Sequence, residues 1–252
     1  MKAVLKYPGA KWRISEWIIS HFPEHKVYCE PFFGSGAVFF NKPQTYIETI
    51  NDIDGNIVNL FKVCRDNPEE LARLIEFTPF AREEFENCYD KSDDSIEQAR
   101  RTLVRYHQSF GTSNSSKKSW RNVQTYGGPR TATMWNYLPG RISEICARLK
   151  EAQIENIDAI ELIRRYNDEN TLLYCDPPYL QSLRRKNMYS CELSEEYHIN
   201  LLSVLKESKS KIVLSGYDSQ LYNSMLSGWN TDEKQTTAQM GKHRVEKIWF
   251  NF

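Results

Sequence analysis

The sequence lacks several features that would assign it to common classes of protein. Its six cysteines form no CxxC pair, so neither a zinc site nor a disulfide framework is indicated. No apolar run approaches the ~18 residues of a membrane-spanning helix, and no signal-peptide pattern opens the chain. The 33 basic and 33 acidic residues leave no net charge that would point to a partner. We therefore expect a cytoplasmic protein with buried, reduced thiols and no membrane contact.

Acidic residues are also missing from one long segment. Residues 98–143 contain no Asp or Glu but eight Lys or Arg, with aromatic and polar residues interleaved. Basic side chains bind phosphates, while polar and aromatic side chains read or wedge base steps. The segment therefore favours nucleic-acid contact over a merely solvated basic face. The candidate DNA-binding residues are Arg100, Arg105, Lys117, Lys118, Trp120, Arg121, Tyr126 and Arg130.

Short apolar runs alternate with helical patterns over residues 1–77 and again over residues 149–252. This alternation predicts an α/β fold with a Rossmann-like, doubly wound sheet. We expect strands at 27–30, 46–50, 154–157, 172–175 and 211–215, with 244–252 as an antiparallel edge strand. We expect helices opening at Ala37, Gly55, Pro68, Asp158 and Ser194. Residues 78–148 break the pattern, so we interpret them as an inserted, mainly helical lobe that recognises the target.

The tetrapeptide Asp176-Pro177-Pro178-Tyr179 follows the apolar run at 172–175. It therefore lies at the carboxyl end of a buried strand, where open α/β sheets bind their ligands. Two successive prolines fix φ and donate no backbone hydrogen bond. The result is a rigid loop with a carboxylate, free carbonyls and an aromatic ring. Such a loop can accept hydrogen bonds from an amino group while the tyrosine stacks on the ring that bears it.

A second strand ends in Glu30-Pro31-Phe32-Phe33-Gly34-Ser35-Gly36. The glycines allow a tight turn and a close approach of ligand to backbone, but no Walker lysine accompanies them. Glu30 favours a cationic ligand instead of a phosphate. Asp52 follows Gly34 by 18 residues, near the spacing at which an acid binds ribose hydroxyls. The pattern predicts a nucleoside that lacks phosphate and carries an amino-acid or sulfonium part.

These motifs together resemble the D12 class of adenine-specific DNA methyltransferases, a family that includes the Dam enzymes. Its acid-Pro-Phe-x-Gly-x-Gly motif is matched in full at 30–36, and its D-P-P-Y motif at 176–179. Its opening aromatic-x-Gly-Gly-Lys motif is matched at 7–11, with Ala10 in place of the second glycine. The recognition region lies between the cofactor and catalytic motifs, as in the α group. Segments 212–217 and 246–251 resemble later parts of the family.

The resemblance implies that S-adenosyl-L-methionine (AdoMet) donates a methyl group to adenine N6, leaving S-adenosyl-L-homocysteine. Asp176 and the Pro177 carbonyl would then accept the two N6 hydrogen bonds, and Tyr179 would stack on a base that has left the duplex. Asp52 would bind the ribose, and Asp158 the adenine of the cofactor. The full set of expected cofactor-binding residues is Tyr7, Lys11, Glu30, Pro31, Phe32, Gly34, Ser35, Gly36, Asp52, Asp158 and Asp176.

Other functions remain open at the level of sequence. The same loop chemistry suits cytosine N4 in DNA or adenine in RNA, although the motif order favours DNA adenine. A DNA-binding regulator that has lost catalysis is the alternative from another class, and the intact motifs argue against it. We expect a monomer that acts on double-stranded DNA, needs no metal, and comes from a prokaryote or a phage.

Overall fold

A computed structural model describes residues 1–110, 119–124, 126, 130–183, 191–237 and 243–252. Its strands are β1 (Val27–Glu30), β2 (Ile47–Asn51), β3 (Gln153–Glu155), β4 (Thr171–Cys175), β5 (Lys211–Gly216), β6 (Asn230–Thr237) and β7 (His243–Phe250). Its α-helices are α1 (Ser15–Ile19), α2 (Gly55–Asp66), α3 (Pro68–Phe77), α4 (Arg82–Asn87), α5 (Ser95–Gln108), α6 (Thr131–Trp135), α7 (Leu138–Lys150), α8 (Ala159–Arg165), α9 (Glu195–Glu207) and α10 (Gln220–Met225). A 3₁₀ helix covers Gln181–Leu183.

The strands form one sheet in the order β3-β2-β1-β4-β5-β7-β6. The first five strands are parallel, and β7 is antiparallel to both β5 and β6. From β1 the chain moves outward through β2 to β3, then returns to β4 on the other side of β1. Strands β1 and β4 therefore flank the topological switch point, where sheets of this type open a ligand crevice. This is the mixed α/β, Rossmann-like architecture expected from the sequence.

Local sequence signals account for several of the element boundaries. The five residues of β4 are all buried, as the continuous apolar run predicts for an inner parallel strand. Side chains of Asp54, Asp158 and Ser194 accept hydrogen bonds from the first turns of α2, α8 and α9. Each of these caps satisfies backbone N–H groups that have no partner within the helix.

The prediction of a helix that begins at Ala37 is wrong. Residues 37–41 form successive turns, in which the Phe40 N–H donates to the Gly36 carbonyl and the Lys42 N–H to the Val38 carbonyl. Pro43 explains why these turns do not continue into a helix, because proline disfavours helical backbone in the residue before it. The apolar run instead buries aromatic rings: Phe39 packs edge-on against Phe40 with ring centroids 5.1 Å apart.

The prediction that the closing strand lies at the edge of the sheet is also wrong. Strand β7 is inner, because β6 pairs with it from Asn230 to Thr237 and takes the edge position. The sequence of β6 is polar throughout, so it gave no apolar signal for a strand. Polar edge strands are common because charged side chains discourage pairing with other chains.

The segment 78–148 is mainly helical, but its helices share a core with the sheet. Leu103 of α5, Trp135 of α6 and Ile142 of α7 belong to the same hydrophobic cluster as Ile50 of β2 and Tyr174 of β4. A buried ion pair between Arg148 Nη2 and Glu48 Oε1, 2.7 Å apart, also joins α7 to β2. The segment is therefore packed onto the sheet, and its boundaries at 78 and 148 stay a prediction.

Two further expectations concern cysteines and membranes. Five cysteines are buried free thiols, whereas Cys191 is half-buried. Among the residues described, no helix combines the length and the apolar character that crossing a membrane requires.

Candidate active site

A cavity of about 300 Å³ opens at the carboxyl ends of β1, β2 and β4. All the predicted cofactor-binding residues except Gly36 line it. Gly36 packs behind the cavity, where an added Cβ would come within 2.4 Å of the Phe33 ring. Tyr197 of α9 and Leu193 complete part of the wall, and neither was predicted. Residues far apart in sequence thus meet at one site.

The glycine turn after β1 is held by the turn after β2. The Gly34 N–H donates to Asp52 Oδ2 over 2.8 Å, and the Phe33 N–H donates to the Asn51 carbonyl. Gly34 has φ +51°, a left-handed conformation that glycine adopts without strain. A Cβ at Gly34 would lie 3.0 Å from the Tyr7 ring. The missing side chain therefore lets Tyr7 close over the turn.

Glu30 is a buried acid at the end of β1. Its Oε2 accepts a hydrogen bond of 2.7 Å from the Tyr28 hydroxyl, and only 2% of the residue is exposed. Burial raises the pKa of Glu30 to about 8, although the Tyr28 hydrogen bond opposes this rise. The nearby Asp176 carboxylate raises the pKa further. A cationic group bound in the cavity would lower the pKa of Glu30 again, because it favours the ionised carboxylate.

Asp52 is a second buried acid in the cavity wall. Besides Gly34, the Asp54 N–H donates to it, at Oδ1 over 2.9 Å. Burial raises the pKa of Asp52 to about 6, and these backbone hydrogen bonds limit the rise. Each carboxylate oxygen has a second lone pair, so the group can still accept hydrogen bonds from a ligand hydroxyl.

Asp158 lines the cavity but already accepts hydrogen bonds from three donors within the protein. Its Oδ1 accepts from the Ile160 and Glu161 N–H groups at the start of α8, and its Oδ2 accepts from the Tyr197 hydroxyl over 2.8 Å. Its expected contact with the cofactor's adenine stays a prediction. Tyr197, which the sequence analysis missed, shares this position in the wall.

Asp176 at the end of β4 is fixed from two sides. Its Oδ1 accepts a hydrogen bond of 2.8 Å from Ser215 Oγ on β5, and its Oδ2 pairs with Lys11 Nζ at 2.8 Å. Lys11 is 4% exposed and also donates to the Gly9 carbonyl. Lys11, which was expected to bind the cofactor, therefore already has a carboxylate partner within the protein.

Tyr179 is buried, with 5% of its surface exposed. Its hydroxyl donates to Glu246 Oε2 on β7 over 2.6 Å. The Tyr179 and Tyr217 rings meet edge-on, with their centroids 4.4 Å apart. Lys11 Nζ lies 4.8 Å from the centroid of the Tyr179 ring. A base can stack on Tyr179 only if one of these neighbours moves.

The predicted DNA-binding residues fall into different environments. Arg100 is paired with Glu84 and Glu97, and its side chain is 14% exposed. Arg105 lies over the Tyr89 ring, 5.2 Å from its centroid. Lys117 and Lys118 lie outside the described residues.

The other four predicted residues that the structure describes follow α5 in the chain. Trp120 is half-buried, and the guanidinium carbon of Arg82 lies over its ring, 4.9 Å from the ring centroid. Arg121 is half-buried and donates from Nε to the Ser109 carbonyl. Tyr126 and Arg130 are exposed. These four stay candidates for contact with DNA.

Sequence reasoning missed two of the residues that hold Asp176 and Tyr179. Ser215 and Glu246 both lie in segments that resemble later parts of the family, but no role was predicted for either residue. Only strand pairing brings them to the loop: Ser215 is the penultimate residue of β5, and Glu246 lies in β7 one residue before its pairing with β5 begins. Among the described residues, no group of His, Cys, Asp or Glu has an arrangement that could hold a metal ion.

Comparison with known proteins gives a consistent result. The DNA adenine methylase of Haemophilus influenzae is 24% identical over 242 residues, covering 89% of this chain and 82% of the relative. The DNA adenine methylase of Escherichia coli K12 is 24% identical, covering 98% and 87%. The Type II methyltransferase M1.LlaDCHI of Lactococcus lactis subsp. cremoris is 25% identical, covering 96% and 90%. Residues 7–240 match the family described as D12 class N6 adenine-specific DNA methyltransferase. The chain belongs to this family of adenine-specific DNA methyltransferases, which transfer a methyl group to adenine N6.

Proposed function

We propose that this methyltransferase holds AdoMet at the β1–β4 switch point and presents a flipped-out adenine of duplex DNA to the loop at 176–179. The observation that carries the proposal is the adjacency of Glu30 and Asp176. They end neighbouring strands and line one cavity, so an acid for a cationic donor lies beside an acceptor for an amino group. The family's specificity for adenine in DNA sets aside cytosine N4, RNA adenine and an inactive regulator.

The cavity suits AdoMet in its chemistry. Glu30 offers a carboxylate to the ammonium and sulfonium charges, and Asp52 offers hydrogen-bond acceptors to the ribose. Tyr7 and Phe32 supply apolar contact, and the turn at Gly34 lets a ligand approach the backbone. When bound, AdoMet supplies a methyl group activated by its sulfonium.

Asp176 and Pro177 carry the proposed chemistry on the acceptor side. An exocyclic adenine nitrogen is a poor nucleophile, because its lone pair is delocalised into the ring. Acceptance of its two N–H bonds by Asp176 and by the Pro177 carbonyl favours a more pyramidal nitrogen with a freer lone pair. Ser215 and Lys11 fix the carboxylate in advance, so the gain comes from positioning and preorganised electrostatics. Pro178 keeps the loop rigid.

Tyr179 supplies the surface on which the target base stacks. Its ring is covered by Lys11 and Tyr217, so arrival of the base displaces one of them. Lys11 already binds Asp176, and movement of its ammonium would couple entry of the base to release of the catalytic carboxylate. The enzyme is a monomer in solution, is encoded by a prokaryote or a phage, lies in the cytoplasm and needs no metal.

Transfer of a labelled methyl group from AdoMet to duplex DNA, followed by digestion to nucleosides, tests the proposal. We expect the label in N6-methyladenine, and label in N4-methylcytosine contradicts it. Tyr179→Ala should lower kcat/KM by about one to two decades, because base–aromatic stacking is worth roughly 1–3 kcal/mol. A mismatch opposite the target adenine lowers the cost of flipping and should partly restore this variant. Tyr46→Ala, at an exposed tyrosine, is the matched control.

A further inference from the structure

The hydroxyl of Tyr179 has a charged partner that lies outside the catalytic loop. It donates to Glu246 Oε2 over 2.6 Å, a length typical of an O–H group bound to a carboxylate. The two residues are 67 positions apart in the chain. From the loop alone, only the ring of Tyr179 was expected to matter.

The topology of the sheet explains why Glu246 reaches the loop. Strand β7 is antiparallel to β5, so it enters the sheet at the edge where the parallel strands end. Lys247 pairs with Gly216, the last residue of β5, which places Glu246 one step further toward the loops. The C-terminal strand therefore delivers a side chain to the carboxyl edge of the sheet.

Strand alternation directs Glu246 to the face that carries Tyr179. Ile248 shares that face and belongs to the hydrophobic cluster of Tyr174. Lys247 points to the opposite face, where it pairs with Asp218 at 2.8 Å and with Glu233 at 3.1 Å. The two neighbouring charges thus have separate partners, and Lys247 does not compete with Tyr179 for the Glu246 carboxylate.

We infer that Glu246 is a positioning residue for Tyr179, which rests on the stacking role proposed above. Ring contacts with Tyr217 and Lys11 limit where the Tyr179 ring lies, but a base that displaces either neighbour removes that limit. The hydrogen bond at the far end of the ring persists when the base arrives. Glu246 therefore keeps the ring plane in the orientation that the flipped adenine needs.

The test compares Glu246→Ala, Tyr179→Phe and the double variant in methyl transfer to duplex DNA. Each single variant should lower kcat/KM by about tenfold, the lower end of the range for losing a hydrogen bond to a charged group, and by less than Tyr179→Ala, which also loses the ring. The double variant should be no worse than either single variant, because both remove the same bond. Glu246→Gln retains an acceptor and should lose only a few-fold. AdoMet affinity should not change in any of them.

A target mismatch distinguishes positioning from a general structural role. It lowers the cost of flipping, so it should partly restore Glu246→Ala, as it should Tyr179→Ala. Glu233→Gln on the neighbouring strand removes a matched carboxylate that is 51% exposed, and it should keep wild-type activity. If Glu246→Ala unfolds, Tyr179→Phe still removes the bond while keeping both the acid and the ring.

Three results would overturn the inference: wild-type activity of Tyr179→Phe, additive losses in the double variant, or a loss of AdoMet affinity that parallels the loss of activity. If Tyr179→Ala is impaired while Glu246→Ala and Tyr179→Phe are fully active, only the role of Glu246 fails. If Tyr179→Ala is itself fully active, the proposed stacking function fails as well.

Discussion

Charged side chains have different kinds of partner in the cavity at the carboxyl edge of the sheet and in the basic segment 98–143. In the cavity, the acids that carry the proposed chemistry are held by donors from other elements: Glu30 by Tyr28, and Asp176 by Lys11 and Ser215. In the described part of the basic segment, Arg100 and Arg101 pair with acids, whereas Arg121 donates to a backbone carbonyl. The acids of the cavity are thus held in place in advance, whereas part of the positive charge of the segment is already neutralised within the protein.

The segment shows that an absence of acids along the chain is not an absence of acids in space. Glu97 precedes the segment by one residue and pairs with both Arg100 and Arg101, and Glu84 of α4 also pairs with Arg100. Arg121 donates to a backbone carbonyl instead, and burial lowers its pKa. Arg121 is therefore the stronger candidate for binding a phosphate.

The largest effect is expected from the cavity, at Asp176. Asp176→Ala removes the acceptor for the target amino group and should lower kcat by at least ~10²-fold, the scale for losing one preorganised electrostatic partner. AdoMet binding should weaken less than activity. Asp93→Ala, at an exposed acid, should behave as wild type. Single-turnover methyl transfer compares the rates of the two variants with that of wild type. Activity of Asp176→Ala within a few-fold of wild type would contradict the proposed mechanism.

Asp52 should show a smaller effect that is confined to the cofactor. Asp52→Ala should raise the KM for AdoMet with little change in the KM for DNA. The loss should be worth ~1.5–3 kcal/mol, the range for hydrogen bonds to a charged group. Part of it reflects the Gly34 N–H, which loses its acceptor. Calorimetry that finds unchanged AdoMet affinity would remove Asp52 from the site.

Within the basic segment, Arg121 and Arg100 should separate. Arg121→Ala should lower the slope of log K against log salt by ~0.9, as should loss of Lys117 or Lys118, if each contacts one phosphate. Arg100→Ala should leave this slope unchanged and lower the melting temperature, because it removes the ion-pair partner of Glu84 and one of the two partners of Glu97. The reverse pattern would mean that the ion pairs of Arg100 open to bind DNA.

The smallest signal should be a proton released when AdoMet binds. The pKa of Glu30 in the free protein is about 8, so most molecules hold this proton at neutral pH. A cationic ligand favours the ionised form, so binding lowers the pKa and AdoMet affinity should rise with pH until about pH 8. Calorimetry at about pH 7.5 in buffers of different ionisation enthalpy measures the number of protons released on AdoMet binding.

The pKa of Asp52, about 6, lies below that experimental pH, so Asp52 should contribute little to the release. Glu30→Gln should abolish it, whereas an equal release from Glu30→Gln would assign the proton to another group.

The ligand edge of the sheet was predictable because its signals are local. The Pro177-Pro178 pair after an apolar run and the glycines at 34 and 36 mark strand ends within a few residues of sequence. Glu246 and Ser215 were not predictable as partners of the loop, because strand pairing over long sequence distances brings them there. The polar strand β6 gave no apolar pattern, and the Ala37 run was too short before Pro43 to form a helix.

Adenine methylation in DNA from a methylation-free host that expresses this chain tests the central claim most directly. Digestion and mass spectrometry should find N6-methyladenine, and sequencing of modified bases should place it at a recurring DNA sequence. The same host expressing Asp176→Ala at equal level should contain none. Unmodified adenine with well-expressed wild-type protein, or methyl groups on cytosine instead, would contradict the claim.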